Sequence, residues 1–273
     1  MANFSIKEII EDMYNEHKII DSEKYNKIFE NIYSRGLITI FSEPDMYEAI
    51  LIDILINMLK TYNRILILSR AYDKEIIVKK LLTNIIGIGT FKHYYLEEFV
   101  DKDLFEKSIS ELYNYDLFIN DSVNELDSIE ESIEKFIDKN NDIRNVIFID
   151  FYRSYEIADF KYLKMLSKKY NVLIIVIQII DRLIENDFKH AKLTRNYIDM
   201  VLYKKYQECF NHSNLSLMIY RNYYGNGNSK EIKIFKICED GANVYDSKRV
   251  FKYKFNEDYQ LIYEGVEEEK NEV

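Results

Sequence analysis

The sequence contains no tryptophan, one proline, two cysteines and four histidines in 273 residues. Two cysteines cannot form a disulfide framework, and Cys209 and Cys238 stand at no metal-ligand spacing, which fits a reducing cytoplasm. His17, His93, His190 and His212 are scattered, so no metal site and no cofactor are expected from them. No apolar run approaches the ~18 residues of a membrane span. The first residues, MANFSIKEIIEDMYNEH, are charged and amphipathic, unlike a signal peptide. Positive charge is also in short supply. There are 37 Lys+Arg against 47 Asp+Glu, a net charge of −10, which disfavours a protein that simply coats DNA.

What is present is a core. Hydrophobic residues make up 47% of the chain, enough for one large folded α/β domain. Apolar runs at 37–41, 64–69, 115–120, 145–150 and 172–180 read as buried strands. Helical spacing predicts helices over 48–60, 73–86, 127–140, 156–170 and 181–190, and one or two more within 90–113. Ile129, Ile133, Phe136 and Ile137 should face inward. Such alternation predicts a mainly parallel sheet covered on both faces. From Asp199 the texture changes to DMVLYKKY, LSLMIYRN and EIKIFKIC, read as antiparallel strands, with a last hairpin from KRVFKYKF and YQLIYEG. Two helices, 4–17 and 22–33, precede this. The expected division is 1–35 leader and linker helices, 36–264 the main domain and 265–273 a solvated acidic tail.

The stretch GLITIFSEPDMYEAILIDILINMLK, a strand, a six-residue turn and a long helix, is the scaffold on which nucleotide-binding proteins hold a phosphate. The phosphate-binding version is G-x-x-x-x-G-K-[ST]. In that register Ser42 and Tyr47 replace the glycines, Glu48 the lysine and Ala49 the hydroxyl. Glu43, Pro44, Asp45 and Met46 fill the turn, and Phe41 precedes it. A lysine about 4 Å from a phosphate charge contributes about 4 kcal/mol at an effective dielectric near 20, so exchange for glutamate is a swing of about 8 kcal/mol. Glu43 and Asp45 add further negative charge. Carboxylates at a helix N-terminus satisfy it themselves. Ser42 would then be an ordinary helix cap, with Pro44 in the first turn.

Taken in order, the segments resemble the RecA-like motor domain of DnaB-type replicative helicases (superfamily 4). GLITIFSEPDM resembles that family's strand and phosphate loop, with its usual Pro and Met at Pro44 and Met46. RILILSRAYDKEIIVKKLL is similar to its second strand and following helix, and VIFIDFYRSY to its Walker B segment, with Asp150 in the metal-linked position. LKMLSKKYNVLIIVIQIIDRLIE is similar to the stretch ending in the sensor strand, and MVLYKKY and LMIYRN to the late strands. The resemblance implies a RecA-like, mainly parallel sheet flanked by helices, with antiparallel strands at the C-terminal end and an N-terminal leader helix. The departures concern catalysis. Ala71 stands where the family has its catalytic Glu. Ile179 stands at the sensor Gln, unless Gln178 serves with a one-residue slip. Ile219 replaces the Lys of the finger pair, leaving Arg221.

These features imply a catalytically inactive helicase-like protein, a pseudo-ATPase that acts by binding in DNA replication. Its partner would be a replicative helicase or another replication protein, engaged through the apolar stripe Ile6, Ile9, Ile10 and Met13. A second expectation is a single-stranded nucleic-acid module. Residues 199–254 carry 10 Lys+Arg against 6 Asp+Glu. Lys204, Lys205, Arg221, Tyr223 and Tyr224 would contact the strand, with Tyr203, Tyr206, Phe210 and Tyr220 interleaved. A residual ATP-dependent helicase is the third. No membrane contact is expected.

Overall fold

Strands that are apolar at every position can only be buried on both faces, and this chain supplies several. The computed structural model describes residues 22–29, 35–42, 47–61, 63–70, 72–88, 101–122, 126–137, 145–150, 159–180, 206–221, 231–239, 242–243, 249–257 and 260–268. Five strand–helix alternations come first: β1 (Gly36–Ser42), α1 (Tyr47–Lys60), β2 (Arg64–Ser69), α2 (Lys74–Ile86), α3 (Lys102–Tyr113), β3 (Leu117–Asn120), α4 (Leu126–Phe136), β4 (Asn145–Asp150), α5 (Phe160–Tyr170) and β5 (Leu173–Ile179). The later strands are β6 (Leu215–Arg221), β7 (Glu231–Glu239), β8 (Ala242–Asn243), β9 (Arg249–Phe255) and β10 (Leu261–Glu268).

All of them join one sheet in the order β10-β9-β7-β6-β1-β5-β4-β2-β3, with the short β8 paired to β7. From β6 to β3 the six strands are parallel. From β6 through β7 and β9 to β10 they are antiparallel. β1 lies inside the sheet, with Gly36 to Ser42 opposite Leu173 to Ile179 on one side and Ile38 to Ser42 opposite Leu215 to Ile219 on the other.

Side-chain alternation splits the core in two. Ile38 and Ile40 pack with Ile50, Ile54, Leu55 and Met58 of α1 on one face. Leu37 and Phe41 pack with Ile129 and Ile133 of α4 and Leu163 and Leu166 of α5 on the other. Local signals end the helices. Asp159 caps α5 by accepting from Tyr162 N–H at 2.8 Å, and Asn171 closes it in the left-handed region at φ 52°. Gly87, at φ 88°, closes α2 with its N–H on the Thr83 and Asn84 carbonyls. No helix among the described residues is long and apolar enough to cross a membrane.

The structure corrects several expectations. Residues 206–212 form a helix not read from the sequence; it begins at Tyr206, the last residue of DMVLYKKY, whose residues 199–205 lie outside the described residues. Residues 22–29 form hydrogen-bonded turns instead of a helix, and Tyr25, Ile28 and Phe29 are buried in the α1-side core, so this stretch belongs to the main domain. β10 continues to Glu268, so Val266, Glu267 and Glu268 are strand residues and not tail. Ser42 is the last residue of β1, its carbonyl accepting from Ile180 N–H, and therefore does not cap α1.

Candidate functional site

Open α/β sheets bind ligands beyond the carboxyl ends of their parallel strands. Here those ends carry Ser42, Ser69, Asn120, Asp150, Ile179 and Arg221. Ser42 lies opposite Ile179 and Ile219, and Ser69 opposite Asp150. The positions singled out from sequence at Ser42, Asp150, Ile179 and Ile219 are thus brought to one end of the sheet.

The details differ from position to position. Phe41, which directly precedes the first loop-glycine position at Ser42, is fully buried on the sheet face away from α1, its ring 5.0 Å from Tyr206 and 5.4 Å from Phe210. It is a core residue and does not fill the loop. Tyr47 and Glu48 open α1. Ala49, at the hydroxyl position, is buried in the α1-side core. Glu43, Pro44, Asp45, Met46 and Ala71 lie outside the described residues. Gln178 packs beside Phe41 in register, whereas Ile177 and Ile179 belong to the α1-side core. Alternation therefore puts Gln178 on the opposite face from α1, where its Nε2 donates to Ile179 O at 3.1 Å and its Oε1 has no partner among the described residues. This removes the one-residue slip.

Asp150 is buried at the end of β4 and shares with Ser69, Lys80, Leu51, Leu55 and Phe148 a cavity of about 30 Å³, room for about two water molecules. Lys80, also buried, holds its Nζ 3.9 Å from the centre of the Tyr72 ring, and Ser69 Oγ accepts from Tyr72 N–H at 3.1 Å. The donor set fits a magnesium–nucleotide poorly. The hydroxyl position is a buried methyl group, and the small cavity beside Asp150 is lined by α1 side chains and by Lys80.

Sequence reasoning missed Asp121. From the end of β3 its Oδ2 accepts from Lys74 N–H at 3.1 Å, capping α2 where Asp73 makes no side-chain bond. That hydrogen bond holds the Asp121 carboxyl below the usual carboxylate range. Nothing in the local sequence signals a cap that comes from another strand.

Of the expected nucleic-acid residues, only part falls among the described residues. Tyr206 and Phe210 are buried, so neither offers a ring for base stacking. Arg221 ends β6 and Tyr220 precedes it. Tyr203, Lys204, Lys205, Tyr223 and Tyr224 lie outside the described residues, as do Ile6, Ile9, Ile10 and Met13.

The strand order, the crossover of β1 between β5 and β6 and the ligand-binding end define a RecA-like domain. The solved structures similar to it narrow the fold. The chain aligns with a structure described as an ATPase domain at 16% identity and a TM-score of 0.73, covering 97% of this chain and all of that one. It aligns with a DnaB-like replicative helicase, solved in work on its interactions with primase, at 15% identity and a TM-score of 0.71. That match covers 94% of this chain and 66% of the helicase. The chain therefore has the fold of DnaB-like helicase ATPase domains. No family model and no curated protein matches the sequence.

Proposed function

We propose that this protein is a non-catalytic member of the helicase-like fold that acts by binding in DNA replication, docking on a replicative helicase or another replication protein. The observation that carries this reading is the sequence after β1. On a fold whose neighbours are helicase ATPase domains, Glu48 stands at the lysine position and Ala49 at the hydroxyl position. Phosphoryl transfer depends on positioning and on cations around the γ-phosphate, and this segment offers carboxylates instead. The buried packing of Ala49 and the small size of the cavity beside Asp150 support it further. Single-strand binding is the weaker reading, because two of its stacking candidates are in the core.

Calorimetry with ATP and Mg²⁺ is the direct test. No heat of binding is expected, and a dissociation constant in the low micromolar range overturns the proposal. Glu48→Lys with Ala49→Thr is expected not to rescue hydrolysis, because the position of Ala71 still lacks a carboxylate to orient water.

A further inference from the structure

Away from the strand ends, on the α1 face, a second cavity opens between the turns at 22–29, the middle of α1, the last turn of α2 and the start of β10. It measures about 510 Å³, the size of a small-ligand or side-chain site. Among the described residues, neither Asp150 nor Ser42 nor Ala49 borders it.

Its floor is fixed by a buried network. Asp53 Oδ2 accepts from Tyr25 O–H at 2.6 Å, and Lys24 Nζ lies 3.3 Å from both Asp53 oxygens. Tyr253 O–H donates to the Lys24 carbonyl at 2.6 Å, and its ring stacks on Tyr25 at 5.8 Å. The rim is different. The Glu23 carboxylate, the Asn84 carboxamide and the Tyr263 hydroxyl line the opening and make no side-chain hydrogen bond or ion pair among the described residues.

The chemistry is asymmetric. Two carboxylates face one ammonium, which is already engaged by Asp53, and the unused rim groups can all accept. Beside them Leu261 and the 40% exposed Ile262 give an apolar wall. A cation on an aliphatic stem meets every one of these demands. A guanidinium does so best, because its planar fork can reach a carboxylate and a carboxamide together while lying on a phenol ring.

The wall is also a sheet edge. β10 is the outermost strand and among the described residues pairs only with β9, so its outer N–H and C=O groups are open to another strand. The register shift falls between Tyr263 and Gly265, so Leu261 to Tyr263 keep regular pairing with Phe255 to Tyr253 beside the cavity. Residues 264–273 add five glutamates against one lysine, a field that steers a basic segment to this edge.

We propose that this cavity and the β10 edge receive an extended, arginine-bearing segment of a protein partner, paired to β10 with its arginine in the cavity. The proposal takes from the binding role above only that the occupant is a protein; the ATP titration tests that role and does not touch this cavity.

The test is fluorescence anisotropy of the full chain with a labelled valine–threonine peptide carrying one central arginine. Saturable micromolar binding is expected. Glu23→Gln, on an exposed side chain, should weaken it about tenfold, as should citrulline in place of the arginine. Asn84→Ala should act in the same direction, and N-methylation of alternate peptide amides should abolish binding. Equal affinity for the arginine and citrulline peptides overturns the proposal. So do undiminished binding of the N-methylated peptide, and a spermidine site that depends on Glu23 while no peptide binds.

Discussion

Phe41 directly precedes the position where a phosphate-binding glycine would sit, and its ring is locked between Tyr206 and Phe210 in the core away from α1. Phe41→Ala should therefore cost about 3–5 kcal/mol of folding stability, as for other buried aromatic truncations. Urea unfolding monitored by circular dichroism measures it, and a loss below about 1 kcal/mol would take the ring out of the core. Phe41→Gly should be worse, since glycine also weakens a strand interior. The spacing of the loop was legible in the sequence, but the side of the sheet taken by Phe41 was not. In GLITIFS nearly every residue is apolar, so the two-residue alternation carries no polar mark to tell one face from the other. Gln178 was ambiguous for the same reason, set between Ile177 and Ile179 in a strand buried on both sides. Cys209 is a plainer case. Burial pushes its thiol up to about 12, so it stays protonated and inert at neutral pH.

α4 and α5 lie side by side over the second core and are tied at the surface by Glu130 and Glu134, of which Glu130 makes most of the bonds. Glu130 accepts from Lys169 Nζ at 2.6 Å, Tyr162 O–H at 2.5 Å and Tyr170 O–H at 2.9 Å. These bonds, that of Lys169 foremost, hold its carboxyl down at about 2. A depressed folded-state pKa gives a contribution that is complete above the unfolded value of 4.5 and fades as the pH falls towards about 2. Glu130→Gln should lower the urea midpoint at neutral pH and flatten its fall across that acid window. Parallel pH profiles for the two proteins would remove the tie. Most elements could be read directly: RILILS and NVIFID are bounded apolar runs and became β2 and β4 at the same residues. The helix at 206–212 was missed because it is short and its first residue, Tyr206, was read as the end of a strand. Tyr206, Cys209 and Phe210, spaced three and four apart and all buried, were its signal. β10 was cut short because Glu267 and Glu268 look like tail, although an outermost strand tolerates charge and is protected by it.

At the scale of the molecule, alternation of strands and helices gave the class of fold, while the neighbours of each strand followed only from the structure. β1 pairs with β5 and β6, and β2 with β4 and β3, so most of the sheet joins residues far apart in sequence. Contacts of that kind slow folding. A chain ending at residue 170 retains β1 through β4 but lacks both partners of β1. It is expected to be digested by protease at low concentration under conditions in which the full chain resists; equal resistance would show that the first half folds alone. The central place of β1 also matters at the ribosome. Leu173, where its first partner begins, is translated roughly 130 residues after Ser42, a delay on the order of 10 s at ordinary elongation rates. Throughout that interval the nascent chain carries a largely apolar strand without either of its sheet neighbours. A chaperone that binds short hydrophobic segments is then expected to raise the yield of this protein by sheltering GLITIF during synthesis.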